Sequence, residues 1–131
     1  MPVGDQAGRI QTVLGPIDPS RLGVTLTHEH LLIDIAGVLP PVAEAGARGI
    51  LNDPVSTETL GYIKHHGASS KDDLRTADIS TAVEEVLLYK QYGGESLVDV
   101  TSLALGRDPV GLARISRATG VHVVMGAAFY V

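Results

Sequence analysis

Gly23-Val24-Thr25-Leu26-Thr27-His28-Glu29-His30 is the stretch on which the reading of this chain turns. Its β-branched and aliphatic residues read as a short β-strand, about 23–30, that ends in two histidines. Side chains alternate along a strand, so His28 and His30 project to one face while Thr27 and Glu29 project to the other. Two neutral imidazoles held a pleat repeat apart can both reach one divalent ion such as zinc. The competing reading is a His-x-His that arises by chance on an exposed strand. Position weighs against chance, because the pair closes a buried-looking strand and more apolar chain, Leu31-Leu32-Ile33-Asp34, comes after it.

Upstream, Arg9 to Leu14 alternates weakly and meets a turn signal at Gly15-Pro16, which predicts a β-hairpin over 9–22. Downstream, a long connection runs over 34–78 through Pro40-Pro41, Asn52-Asp53-Pro54 and Gly67-Ala68-Ser69-Ser70, with a short helix around Thr57 to Lys64. Loops of that length are uncommon in compact domains, and this one leaves the histidine-bearing end of the strand, where it can wall a pocket. A helix over 79–92 comes next, started by Asp78 or by a Thr81/Glu84 capping box and ended by Gly93-Gly94. Its expected inner stripe is Ile79, Val83, Val86, Leu87 and Lys90. Residues 96–101 read as a second strand whose near-continuous apolar pattern suits a parallel strand covered on both faces. Asp108-Pro109 opens a helix over 109–119 carrying Leu112, Ile115 and Ala118, Gly120 stops it, and 121–126 is a third strand.

That order is βαβαβ, an α/β class with a parallel sheet and right-handed crossovers. A doubly wound or small flavodoxin-like domain would carry a ligand fingerprint at its switch point, commonly a glycine-rich turn after the first strand. Here that position holds Thr27-His28-Glu29-His30-Leu31. A (β/α)8 barrel places its chemistry at the C-terminal ends of its strands, where His28 and His30 lie. The expected architecture is therefore the first three βα units of a TIM barrel behind an N-terminal β-hairpin. A whole barrel of this type needs about 250 residues, and this chain has 131. The expectation is the N-terminal portion of a longer enzyme, or a truncated chain. Open sheet edges invite association, a homodimer among the outcomes.

A hydrophobic content of 44% supports one domain with a real core. The net charge of −5 leaves no basic footprint, so nucleic acid is not an expected partner. With no cysteine in the chain, metal chemistry falls to histidine, carboxylate and modified lysine, and a cytoplasmic location is expected. No signal-peptide pattern and no apolar run of membrane-spanning length is seen, so a membrane is not an expected partner either.

The segments Arg9 to Asp18, Leu22 to His30, Glu84-Glu-Val-Leu-Leu-Tyr-Lys-Gln-Tyr-Gly-Gly, Leu97-Val-Asp-Val-Thr-Ser, Gly106-Arg-Asp-Pro and Ala118 to Val131 together resemble the phosphotriesterase family of the amidohydrolase superfamily, its phosphotriesterase-related branch most of all. The resemblance implies a metal-dependent hydrolase with two zinc ions per complete chain. His28 and His30 would be ligands of the more buried ion. A carboxylated lysine from the fourth strand, histidines from the fifth and sixth, and an aspartate from the eighth would complete the site. None of those strands is in this chain, and Lys64, Lys71 and Lys90 do not end a strand. The implied chemistry is attack by a metal-bound hydroxide on a small-molecule phosphotriester, lactone or other ester, or amide, with no catalytic residue in this chain beyond the metal ligands. Phe129 and Tyr130 resemble the aromatic position that lines the substrate pocket; core or loop packing is the competing reading. The alternative function is a non-catalytic barrel fragment, a weak metal-binding or interaction module, since zinc normally takes at least three protein ligands.

Other polar residues carry quieter readings. His65 and His66 read as solvated residues of a polar loop, and His122 as a packed, hydrogen-bonded histidine at the stability end of the third strand. Asp99 either orients a ligand from outside the site or bonds outward to a helix. Arg107-Asp108 reads as a helix cap, and alternation turns Glu29 away from the histidine pair.

Overall fold

The computed structural model describes residues 7–38, 45–67 and 69–129, with the side chains of residues 38 and 45–48 outside that description. Strands β1 (Ile10–Thr12), β2 (Gly15–Ile17), β3 (Thr25–Glu29) and β4 (Ile33–Asp34) come first, followed by helices α1 (Ala45–Asn52) and α2 (Leu60–His66). Strand β5 (Arg75–Thr76), helix α3 (Ile79–Gln91), strand β6 (Ser96–Asp99), helix α4 (Pro109–Thr119) and strand β7 (His122–Met125) complete the order. The chain divides into two compact units, residues 1–32 with 78–131 and residues 33–77.

In the first unit, β3, β6 and β7 form a parallel sheet in that order, with α3 and α4 as the crossovers. The β6–β7 register is regular, from Ser96 beside His122 to Asp99 beside Met125. The β3–β6 register is not. Thr25 pairs with Ser96 and Leu26 with Leu97, but the next pair is Glu29 with Asp99, so Thr27 and His28 together stand opposite Val98. This is a β-bulge, which bends a strand and re-aims the side chains beyond it.

Local chemistry explains where α3 and α4 begin and end. Asp78 accepts hydrogen bonds from the Ser80 and Thr81 amides and from both hydroxyls, so it alone caps α3 and no capping box through Glu84 forms. Those bonds, Thr81 first and Ser80 next, lower the Asp78 carboxyl from 3.8 to about 2. Asp108 accepts from the Val110 and Gly111 amides with Pro109 at the first helical position, and Gly120 closes α4 in the left-handed conformation at φ 73°. Between the helices and the sheet lies a core of Leu32, Ala82, Val86, Leu97, Ile115 and Val121, against which Leu31, Ile79, Val83 and Tyr89 pack. The inner stripe of α3 therefore runs through Ala82 and Tyr89 rather than Leu87, which lies on the exposed face. On α4 the buried positions are Gly111, Leu112, Ile115, Ser116 and Thr119, and Ala118 faces outward.

The N-terminal hairpin turns at Val13-Leu14, two residues before the expected place. Thr12 decides this: its hydroxyl donates to Gly15 O at 2.6 Å and accepts from the Leu14 amide at 3.2 Å. Pro16 sits within β2, tolerated because a proline without an N–H fits a strand at an edge. The Val13 amide donates to Val123 O at 2.9 Å, which places the hairpin on the outer edge of β7.

The second unit is more structured than a loop. It holds α1, α2 and a two-residue antiparallel ladder, Ile33 beside Thr76 and Asp34 beside Arg75, reinforced by the Arg75–Asp34 ion pair at 2.7 Å. The ladder has no signal in the sequence because its two strands lie some forty residues apart and are too short to show alternation. Among the described residues no helix is long and apolar enough to cross a membrane.

Candidate metal centre at the strand ends

The C-terminal ends of β3, β6 and β7 gather the chemistry-bearing residues of the first unit. Leu97 belongs to the helix-covered core, and directly paired residues share a face, so Leu26 and Glu29 lie on that same face as Leu97 and Asp99. Alternation from Glu29 then sends His28 and His30 to the opposite face together. Their ring centroids are 5.5 Å apart, edge to face. His28 is exposed and His30 half-buried. The Nδ1 of His30 is hydrogen-bonded to the Thr101 hydroxyl at 2.9 Å, and Thr101 is fully buried.

Asp99, at 0% exposure, holds this end together. One carboxylate oxygen accepts from the Leu31 amide at 2.8 Å, immediately after His30, and the other accepts from the Thr101 amide at 3.0 Å. Among the described residues its side chain bonds to amides at the two strand ends and not outward to a helix. Its backbone oxygen accepts from the Gly126 amide at 2.7 Å, and Val100 donates to Glu29 O at 2.9 Å. Arg107 donates through Nη1 to Gly126 O at 2.7 Å, so it does more than precede a helix cap. Ser102 Oγ and Arg107 Nε are buried without a hydrogen-bond partner among the described residues. Thr101 and Ser102 enter the sequence reading only as the end of the Leu97-Val-Asp-Val-Thr-Ser segment, with no role of their own; the signal that could mark them is their place directly after a strand of a parallel sheet.

Phe129 lies after β7 and is 77% exposed, so it is not a core residue. Tyr130 lies outside the described residues. His65 and His66 end α2 rather than lying in a loop; both are exposed, with His66 donating to Tyr62 O at 2.9 Å and stacked on the Tyr62 ring at 3.9 Å. His122 opens β7 half-buried, and among the described residues its backbone amide, not its ring, makes the hydrogen bond, to Glu95 O at 3.0 Å. Lys64 lies on α2, Lys90 donates to Thr119 O at 2.6 Å, and Lys71 donates to Asn52 Oδ1 at 2.9 Å. Residues 33–77 also form a polar cavity of about 290 Å³ lined by Asn52, Lys71, Asp72, Arg75 and Ala77.

Two imidazoles on one face, one of them oriented through its other nitrogen, suit part of a divalent-ion site. Among the described residues no group of three His, Cys, Asp or Glu side chains converges to complete one.

A parallel βαβαβ sheet with a histidine pair at the end of its first core strand is the opening three units of a (β/α)8 barrel. The chain belongs to the Phosphotriesterase family, whose model matches residues 8–131. It is 40% identical over 128 residues to the N-acetyltaurine hydrolase of Homo sapiens, an alignment covering 95% of this chain and 36% of that protein. It is 39% identical over 126 residues to a phosphotriesterase-related protein of Drosophila willistoni, covering 93% of this chain and 35% of the relative. The crystal structure of a resiniferatoxin-binding protein from Rhodobacter sphaeroides superposes with a TM-score of 0.88 at 42% identity, over 96% of this chain and 35% of that one. The chain thus spans about a third of the length of the relatives it matches.

Proposed function

We propose that this chain is part of a metal-dependent hydrolase of the phosphotriesterase type that cleaves a small-molecule amide, ester or lactone, or phosphotriester, with the amide favoured. The observation that carries the reading is the His28–His30 pair on one face at the end of β3, its rings 5.5 Å apart. The amide is favoured by the 40% identity to a relative named for hydrolysing N-acetyltaurine, whose acyl–nitrogen bond is an amide. In this reading His28 and His30 hold a divalent ion, zinc, one of two in the complete protein. A divalent ion bound there lowers the pKa of water and polarises the scissile bond. The chain itself contributes orientation: the bulge turns both imidazoles to one face, and Thr101 holds the His30 ring. Phe129, exposed beyond β7, offers an apolar surface to the substrate, with Tyr130 beside it in sequence. A homodimer and a cytoplasmic location remain part of the proposal.

The alternative, a non-catalytic module that holds an ion weakly, is what two donors without further ligands would give. One comparison separates them. The polypeptide purified from its source and its His28→Ala variant are titrated with zinc and assayed on an N-acyl amine, a lactone and a phosphotriester. Two tight zinc ions in the wild type and a fall in hydrolysis of at least ~10–100-fold in the variant, with an unchanged unfolding midpoint, support the enzyme. Full activity in His28→Ala refutes the assignment.

A further inference from the structure

Asp99 is a carboxylate with no solvent exposure, on the central strand of the parallel sheet. Burial of a charge there demands hydrogen bonds, and both that it receives come from backbone amides flanking the histidine end of the site. The Leu31 amide donates to Oδ2 at 2.8 Å and fixes the peptide that comes after His30. The Thr101 amide donates to Oδ1 at 3.0 Å and fixes the residue whose hydroxyl meets His30 Nδ1 at 2.9 Å. One side chain therefore holds both the backbone of His30 and the group that touches its ring.

We infer that Asp99 and Thr101 are positioning residues for His30: the carboxylate pins the two strand ends, and the Thr101 hydroxyl accepts a hydrogen bond from Nδ1–H, leaving Nε2 as the bare nitrogen. The inference rests on the reading of His30 as a metal ligand, and deepens it. An imidazole can offer a metal only an unprotonated nitrogen, so the partner of the other nitrogen decides which atom is available. An unheld imidazole in water prefers the proton on Nε2. Thr101 is fully buried, so this contact stops the ring from turning, and with the hydroxyl as acceptor it keeps the proton on Nδ1.

The test is long-range ¹H–¹⁵N NMR of the histidine rings, with and without zinc alone, on the ¹⁵N-labelled chain and its variants Thr101→Val, Thr101→Ser, Asp99→Asn and His30→Ala. In the wild type without metal, the His30 proton resides on Nδ1. Thr101→Val, which keeps the shape and removes the acceptor, moves the proton to Nε2 and weakens zinc about 10–100-fold, while the backbone amide spectrum stays that of the wild type. Thr101→Ser restores both. Asp99→Asn opposes an amide NH2 to a backbone N–H and weakens zinc by a similar factor. A wild-type ring protonated on Nε2, or a Thr101→Val variant with wild-type tautomer and zinc affinity, overturns the inference. So does Asp99→Asn with both unchanged, for the part assigned to the carboxylate. If His30→Ala binds zinc as the wild type does, the ligand reading fails on its own account. The metal-free tautomer still tells whether Thr101 positions the ring.

Discussion

Gly126→Ala probes how tightly the strand ends are drawn together. A Cβ at residue 126 would lie 3.1 Å from Asp99 O, 3.1 Å from Val100 Cα and 3.5 Å from Val100 C. The two shorter separations fall a few tenths of an ångström inside ordinary van der Waals contact, and both partners are backbone atoms. They cannot rotate away as a side-chain tip would. The β6 end cannot retreat easily either, because the Val100 amide is bonded to Glu29 O on its other side at 2.9 Å. The alanine must therefore push the end of β7 outward, stretching the 2.7 Å bond from the Gly126 amide to Asp99 O and the 2.7 Å bond from Arg107 to Gly126 O. Overpacking of this kind costs about 1–3 kcal/mol. The assay is equilibrium urea unfolding, with a lower midpoint and an unchanged slope expected. Gly61→Ala is the control: its Cβ meets nothing within 4 Å and it lies inside α2, so about 0.5–1 kcal/mol of stabilisation is expected. A Gly126→Ala midpoint equal to the wild type, measured where Gly61→Ala shows its gain, would refute the claim that the strand ends leave no room for a side chain.

Further tests address other parts of the structure. Ile115→Ala removes a side chain of 0% exposure from between helix and sheet and should destabilise by about 2–5 kcal/mol by urea unfolding; a loss below about 1 kcal/mol would mean that the core collapses onto the gap. Thr12→Val takes away the hydroxyl that donates to Gly15 O and accepts from Leu14 N, an expected loss of roughly 1–3 kcal/mol with loosened amide protection of the hairpin in hydrogen exchange. Asp78 has a folded pKa of about 2, below its usual 3.8, so its contribution is complete above roughly pH 4 and disappears as pH falls through 2. Asp78→Ala should flatten the stability profile over that interval, and an identical profile would remove the cap from the account. Phe129→Ala should raise KM for an acylated substrate with no change in unfolding midpoint, as its 77% exposure requires, and a large drop in stability would instead make it a packing residue.

Legibility in the sequence is confined to chemistry among a few neighbouring residues. Asp78, Asp108-Pro109 and Gly120 bound the helices α3 and α4 through contacts two to four residues long, and those are visible in any linear reading. Gly15-Pro16 misleads for the same reason. It carries turn composition, yet Thr12 makes the turn with its own side chain two residues earlier. The ladder between residues 33–34 and 75–76 has no local signature at all, since each strand is stabilised by a distant partner and by the Arg75–Asp34 pair. At the candidate site, His28 and His30 stand out by type and spacing. Thr101 is invisible because its importance comes from a contact across 71 residues, and two roles for Asp99 stay open because its partner Leu31 lies 68 residues away.

The strand-end geometry also explains why simple alternation is a sufficient guide to the histidine pair but not to the face it occupies. Unbroken alternation from Leu26 would put His28 and His30 on Leu26's side of the sheet, the side on which Leu97 packs into the core. The bulge at Thr27 and His28 adds one residue before Glu29, and every later side chain changes face. Both histidines stay together because Glu29 alone separates them; they change face because the bulge comes before their common alternation resumes. A bulge left free would let the strand slide back into regular register. Asp99 opposes this from the next pair along the ladder: its side chain holds the Leu31 amide beyond His30, its other oxygen holds Thr101, and its backbone oxygen holds Gly126 at the end of β7. One buried residue thus ties the ends of all three strands in the register that turns the imidazoles away from the helices.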